Sequence, residues 1–80
     1  MPTKAYILIE TAVGESNSVV DSLKLIPEMR SVDPVTGPYD IIATIEAPDL
    51  NAVGDIITSG IHTISGIIRT VTCLSLGPLE

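Results

Sequence analysis

The sequence predicts an α+β fold with the element order β-α-β-β-α-β, and three observations lead there. Runs rich in β-branched residues alternate with stretches in which apolar residues recur at spacings of three and four. Clusters of Gly, Pro and Ser separate these segments. The second half of the chain also echoes the first: Ile9-Glu10-Thr11-Ala12 returns as Ile45-Glu46-Ala47, and Arg30-Ser31-Val32 returns as Arg69-Thr70-Val71. Each half then forms one βαβ unit. Together they make a ferredoxin-like sandwich, a four-stranded antiparallel sheet with both helices on one face.

Residues 4–11 are rich in β-branched and aromatic side chains and form the first expected strand. Gly14 breaks it, and Ser16 is placed to cap the following helix. Val19, Val20, Leu23 and Ile26 mark the apolar stripe of that helix, and Pro27 is expected to end it. Residues 30–35 make a short strand in which Pro34 signals a bulge or a sheet edge. Thr36-Gly37-Pro38 is a turn, and residues 40–47 alternate as a third strand. Pro48-Asp49 opens a second helix with Asp49 as its cap. Leu50, Val53, Ile57 and Ile61 are expected on one face of it, with Gly60 as a stop or a close-packing point. Ser65-Gly66 turns the chain into a last strand over 67–76. The whole chain, 1–80, is expected as one domain with its core at about 4–76 and a tail at 77–80.

Strand periodicity then makes a statement about both faces of the sheet. Ile7 and Ile9 oppose Tyr6 and Leu8; Ile41, Ala43 and Ile45 oppose Ile42 and Thr44; Val71 and Cys73 oppose Thr70, Thr72 and Leu74. Both faces carry apolar groups, but two helices cover only one. The composition agrees: 45% of the residues are hydrophobic, and the excess is aliphatic, with no Trp or Phe. A chain this short has a thin core, so the spare apolar face is expected to meet a partner, most simply a second copy.

Charge and composition exclude several functions. With a net charge of −6 and four scattered Lys and Arg residues, the chain lacks the basic patch that phosphate recognition needs, so no direct nucleic-acid partner is expected. No apolar run approaches the roughly 18 residues that cross a bilayer, and the start lacks a signal-peptide layout. No membrane association is expected, and the location is expected to be cytoplasmic. Cys73 stands alone and forms no internal disulfide.

Catalytic chemistry has little to stand on. Cys73 lies mid-strand and is expected as a small core hydrophobe. His62 falls at the end of the second helix, where it either complements the helix dipole or lies on the surface. One His and one Cys make no metal site, and the six glycines form no phosphate-binding loop. No catalytic residue, metal or cofactor is expected. The one local cluster that stands out is Thr36-Gly37-Pro38-Tyr39-Asp40. A carboxylate, free backbone N–H groups and a flat amphipathic ring are the parts a small zwitterion needs. The same residues also suit a plain hairpin in which Asp40 bonds its own turn.

The run Val32-Asp33-Pro34-Val35-Thr36-Gly37-Pro38-Tyr39-Asp40-Ile41-Ile42-Ala43, the stretch from Asp55 to His62, and Arg69-Thr70-Val71-Thr72 resemble the ligand-binding (RAM) domain of the Lrp/AsnC transcription regulators. The likeness covers nearly the whole chain, Ala5 to Leu76. Family regulators carry a helix-turn-helix domain ahead of this module, whereas only Met1-Pro2-Thr3 precede the first strand here, so the chain resembles the stand-alone members. The resemblance implies dimers joined through their sheets, further assembly to an octamer or decamer, and an amino acid or similar effector bound between dimers. Carried over by position, the ligand-facing residues are Gly37, Tyr39 and Asp40 in the loop and Thr70 and Thr72 in the last strand, with Thr58 and Ile61 as weaker candidates. Asp40 would meet the α-amino group, while backbone N–H groups and the threonines would meet the carboxylate.

Three functions remain to be weighed. The first is an amino-acid-sensing, oligomer-forming regulatory module that modulates full-length regulators by co-assembly. The second is a structural assembly domain without a ligand. The third is a small cofactor-free enzyme of dimeric α+β architecture, since the fold alone does not decide function.

Overall fold

The computed structural model describes residues 2–77; the expected tail therefore falls, beyond Gly77, outside the described residues. The elements run β1 (Thr3–Thr11), α1 (Ser16–Leu23), β2 (Met29–Pro34), β3 (Ile41–Ala47), α2 (Leu50–Asp55), a π-helical segment (Ile56–Ile61) and β4 (Ile67–Leu74). The strands form one sheet in the order β2-β3-β1-β4, and every neighbouring pair is antiparallel. This is the ferredoxin-like βαββαβ arrangement.

Alternation along β1 and β3 builds the core. Ala5, Ile7 and Ile9 lie opposite Ile45, Ala43 and Ile41 in register, and all six are fully buried. Val19, Val20 and Leu23 of α1, Val53 of α2 and Ile61 close over them. Burying an Ile or Leu side chain contributes about 1.5–3 kcal/mol, so the six fully buried ones (Ile7, Ile9, Leu23, Ile41, Ile45, Ile61) dominate the stability of a chain this short.

Several local expectations need correction. Ser16 does not cap α1: Glu15 occupies the cap position and makes no side-chain cap bond. The helix ends at Leu23, before Pro27, and two tight bonds, Leu25 N–H to Ser22 O and Ile26 N–H to Leu23 O, turn the chain out of it. Ile26 still packs against the core from that turn. β4 stops at Leu74 rather than 76. Asp49 does cap α2, accepting the Ala52 N–H at 2.9 Å. β2 is an edge strand, the second of the two positions Pro34 signals; its register shift falls between Met29 and Ser31, and Pro34 itself pairs in register with Ile41.

The second helix departs most from an ideal stripe. Val53 and Ile61 are buried and Ile57 packs against the core, but Leu50 is 59% exposed. Leu50 is the first helical residue, at the periphery of the core. Beyond Asp55 the chain widens to π-helical bonding, as in His62 N–H to Ile57 O at 2.8 Å. A wider turn rotates each later residue relative to the α-helical spacing.

The internal echo has a structural counterpart. Glu10 and Arg69 pair across β1 and β4 at 3.4 Å, and Glu46 and Arg30 pair across β3 and β2 at 3.1 Å. The same two residue types thus occupy corresponding places in the two βαβ halves.

Candidate ligand site

The loop between β2 and β3 is tied down by its backbone before any side chain acts. Val35 N–H donates to Asp40 O at 2.9 Å and closes the loop; Asp40 N–H donates to Ile9 O at 2.9 Å and fastens it to β1. Gly37 sits at φ +152°, a conformation that side-chain-bearing residues rarely adopt. The sequence therefore needs glycine there for backbone reasons alone.

Asp40 does not bond its own turn through its side chain. Its Oδ2 accepts the Thr11 N–H at 2.8 Å and the Thr11 hydroxyl at 3.3 Å. Thr11 lies at the irregularity where the β1–β4 register shifts. Its N–H points to the other neighbour, where the β1–β3 ladder ends at the Ile9–Ile41 pair, so no strand carbonyl meets it and the carboxylate takes it. The Thr11 and Ser16 hydroxyl oxygens are 2.8 Å apart. Because Thr11 donates to Asp40, Ser16 donates to Thr11. Ser16, expected as a helix cap, instead ends this chain of donors.

Tyr39 is half-buried beneath the Arg69 guanidinium, which sits 5.7 Å from the ring centroid. Arg69 also makes the pair with Glu10, and both side chains are well exposed, so the pair contributes no more than about 1 kcal/mol. Thr70 pairs with Ile9, and its Oγ1 lies 3.2 Å from His62 Nε2. Thr72 pairs with Ile7 and is exposed. Thr58 is exposed and donates back to Gly54 O at 2.9 Å within its own helix. Ile61 is a correction: its side chain is fully buried in the core and offers no surface to a ligand.

These residues do not converge into one pocket within a single chain. Arg69 and Thr70 are successive strand residues and point to opposite sides of β4. Tyr39 therefore groups with Arg69 on one side, and Thr70 and Thr72 lie on the other. Thr11, Ser16 and Arg69 complete the local network. Of these, Arg69 carried a signal in the sequence, as part of the repeated Ile-Glu and Arg motifs. Thr11 and Ser16 become visible only when the register brings β1 beside the loop.

One wide-open depression lies at the start of the loop itself, against Pro34, Val35 and Thr36; other openings lie apart. A cavity of about 430 Å³ is lined by Pro2, Arg30, Glu46, Ala47 and Pro48. An apolar groove of about 380 Å³ runs between Leu25, Ile26 and Pro27 on one side and Ile56 and Gly60 on the other. Among the described residues no group of three or more His, Cys, Asp or Glu is placed to hold a metal. None of the described helices is long and apolar enough to cross a membrane.

The sheet face turned away from the helices is the other candidate surface. Tyr6, Leu8, Ile42 and Val71 meet at its centre through the pairs Leu8–Ile42, Leu8–Val71, Tyr6–Thr44 and Tyr6–Cys73. Cys73 is exposed there rather than buried in the core, because β4 shows this residue to the uncovered side. The two ion pairs and Lys4, whose ammonium lies 5.3 Å from the Tyr6 ring centroid, rim the patch.

The family model of the Lrp/AsnC ligand binding domain matches residues 4–79, and the chain belongs to that family. Among solved structures, a protein of Thermus thermophilus is 28% identical, with a TM-score of 0.92 and 98% of both chains covered. A hypothetical protein of Pyrococcus horikoshii is 32% identical, with a TM-score of 0.87, covering 95% of this chain and 90% of that one. A transcriptional regulator of Neisseria meningitidis, solved in complex with L-methionine, shares the fold at 18% identity and a TM-score of 0.87, over 98% of this chain and 52% of that one. The homocitrate synthase of Sulfurisphaera tokodaii is 34% identical over 61 residues; the match takes in 76% of this chain but 13% of the enzyme.

Proposed function

We propose that this domain senses an amino acid or a similarly small metabolite and answers by assembly, and that it is not itself an enzyme. The observation that carries this reading is the division of the candidate site. The loop residues Gly37, Tyr39 and Asp40 and the strand residues Thr70 and Thr72 lie on surfaces that a single chain leaves open. A neighbouring subunit is what completes such a pocket. Membership in a ligand-binding family and the methionine complex of the Neisseria regulator support a small zwitterion as the occupant.

Assembly begins on the uncovered sheet face, where a second copy buries Tyr6, Leu8, Ile42 and Val71. Dimers then associate to an octamer or decamer, and effector bound between them favours that state. A ligand at 100 times its Kd stabilises the form that binds it by about 2.7 kcal/mol, enough to change the population of an assembly near balance. In this reading the domain serves regulators of the same family by co-assembly. The match within homocitrate synthase favours a second setting, in which such a domain acts on a biosynthetic enzyme.

Calorimetric titration with the twenty amino acids tests the proposal. At least one is expected to bind with a Kd below about 1 mM, with loss on Tyr39→Ala, and to raise the mass seen by light scattering. Failure of all twenty to bind leaves the ligand-free assembly domain as the better reading.

A further inference from the structure

We infer that Asp40 is a positioning residue: through Thr11 and Ser16 it fixes the loop that carries Gly37 and Tyr39, and it is not the group that neutralises a ligand's ammonium. The inference deepens the sensing reading and depends on it only where a ligand is used as the probe.

The geometry is specific. Oδ2 of Asp40 already accepts two donors, the Thr11 N–H at 2.8 Å and the Thr11 hydroxyl at 3.3 Å. The Thr11 hydroxyl in turn takes the Ser16 hydroxyl at 2.8 Å, where α1 begins. Thr11 is only 8% exposed, and Asp40 is half-buried beside it. A backbone N–H this well covered needs an acceptor, and leaving it without one costs more than the bond contributes when made. The loop's own backbone bonds reach β1 through Asp40 N–H alone, to Ile9 O. The side-chain chain adds the second fastening and extends it to the first turn of α1. The end of β1 and the start of α1, five residues apart, are thereby held in one arrangement with the β2–β3 loop, 29 positions from Thr11.

The two roles make opposite demands on the side chain. A counter-ion to ammonium needs the negative charge. A fastening needs one acceptor oxygen in place, and asparagine has it. Asp40→Asn and Asp40→Ala therefore separate the roles.

Amide exchange of Thr11, followed by NMR without ligand, gives the first arm. Asp40→Ala is expected to speed it about tenfold or more, and Asp40→Asn less than about threefold, since one lost hydrogen bond is worth about a factor of ten. Thr11→Val provides an independent variant that keeps the amide and removes only the hydroxyl. It is expected to preserve the fold while shifting the resonances of both Ser16 and Asp40. Calorimetry with L-methionine and the other amino acids gives the second arm. Asp40→Asn is expected to bind whichever one the wild type binds within about threefold, and Asp40→Ala about tenfold more weakly. Equal loss in Asn and Ala variants, with Thr11 exchange unchanged in both, overturns the inference in favour of the charge. If the wild type binds no amino acid, the sensing proposal fails, and the Thr11 exchange still decides the role of Asp40.

Discussion

The two faces of the sheet are made by the same strands and do different work. On the covered face, Ile7, Ile9, Ile41 and Ile45 lie fully buried under two helices. On the other, Leu8 and Ile42 are half-buried by their own neighbours, Tyr6 is 37% exposed, and ion pairs ring the patch. One face carries the folding energy of the isolated chain. The other keeps apolar surface that one copy has no means of covering. The contrast teaches that high hydrophobicity in a short chain need not mean a large core. Here it is divided by strand alternation between an interior and a surface suited to association.

Substitutions on opposite sides of β3 break the contrast most sharply. Ile45→Ala removes a fully buried side chain and is expected to destabilise the chain by about 3–4 kcal/mol in urea denaturation, a large part of a total of roughly 5–15. Ile42→Ala, three residues away on the open face, is expected to cost less than half of that under conditions where the chain is monomeric. Equal losses would mean that the open face belongs to the folding core.

A smaller effect probes the seam between helix and sheet. Gly66 has φ +100°, and a Cβ there would lie 3.0 Å from Glu15 Cβ and 3.0 Å from Val19 Cγ2. Gly66→Ala is expected to lower stability by about 1–3 kcal/mol by thermal melting, through backbone strain and displacement of α1. The smallest change is expected from the rim. Glu46→Gln breaks the exposed pair with Arg30 and is expected to shift stability by less than about 1 kcal/mol. A larger loss in the melt would show that the rim contributes to folding as well as to the boundary of the patch.

Much of this architecture is legible in the sequence. Alternation in 4–11 and 40–47 marks both faces, Asp49 marks the start of a helix, and Pro34 marks an edge. The repeated Ile-Glu and Arg motifs foreshadow the two ion pairs. What was not legible depends on distance or on backbone detail. Ser16 has the chemistry of a cap, and only the approach of Thr11 diverts it. The wider turn after Asp55 has no compositional mark, and helical spacing alone does not say that Leu50, the first residue of the helix, lies at the periphery of the core. Asp40 is legible as a carboxylate in a promising loop, but its partner is 29 positions away and follows from register. Ile61 entered the candidate site through family resemblance, and its burial places it in the core. Cys73 reads as a core residue because local sequence does not say which side of β4 the helices leave bare.

The central claim is that the open face joins copies of this chain. Sedimentation equilibrium of the wild type and of Leu8→Asp, Ile42→Asp and their double variant tests it directly. The wild type is expected at the mass of a dimer or a multiple of one at micromolar concentration. The double variant is expected as a monomer with unchanged far-UV circular dichroism. A monomeric wild type, or an assembly that survives both aspartates, would contradict the claim.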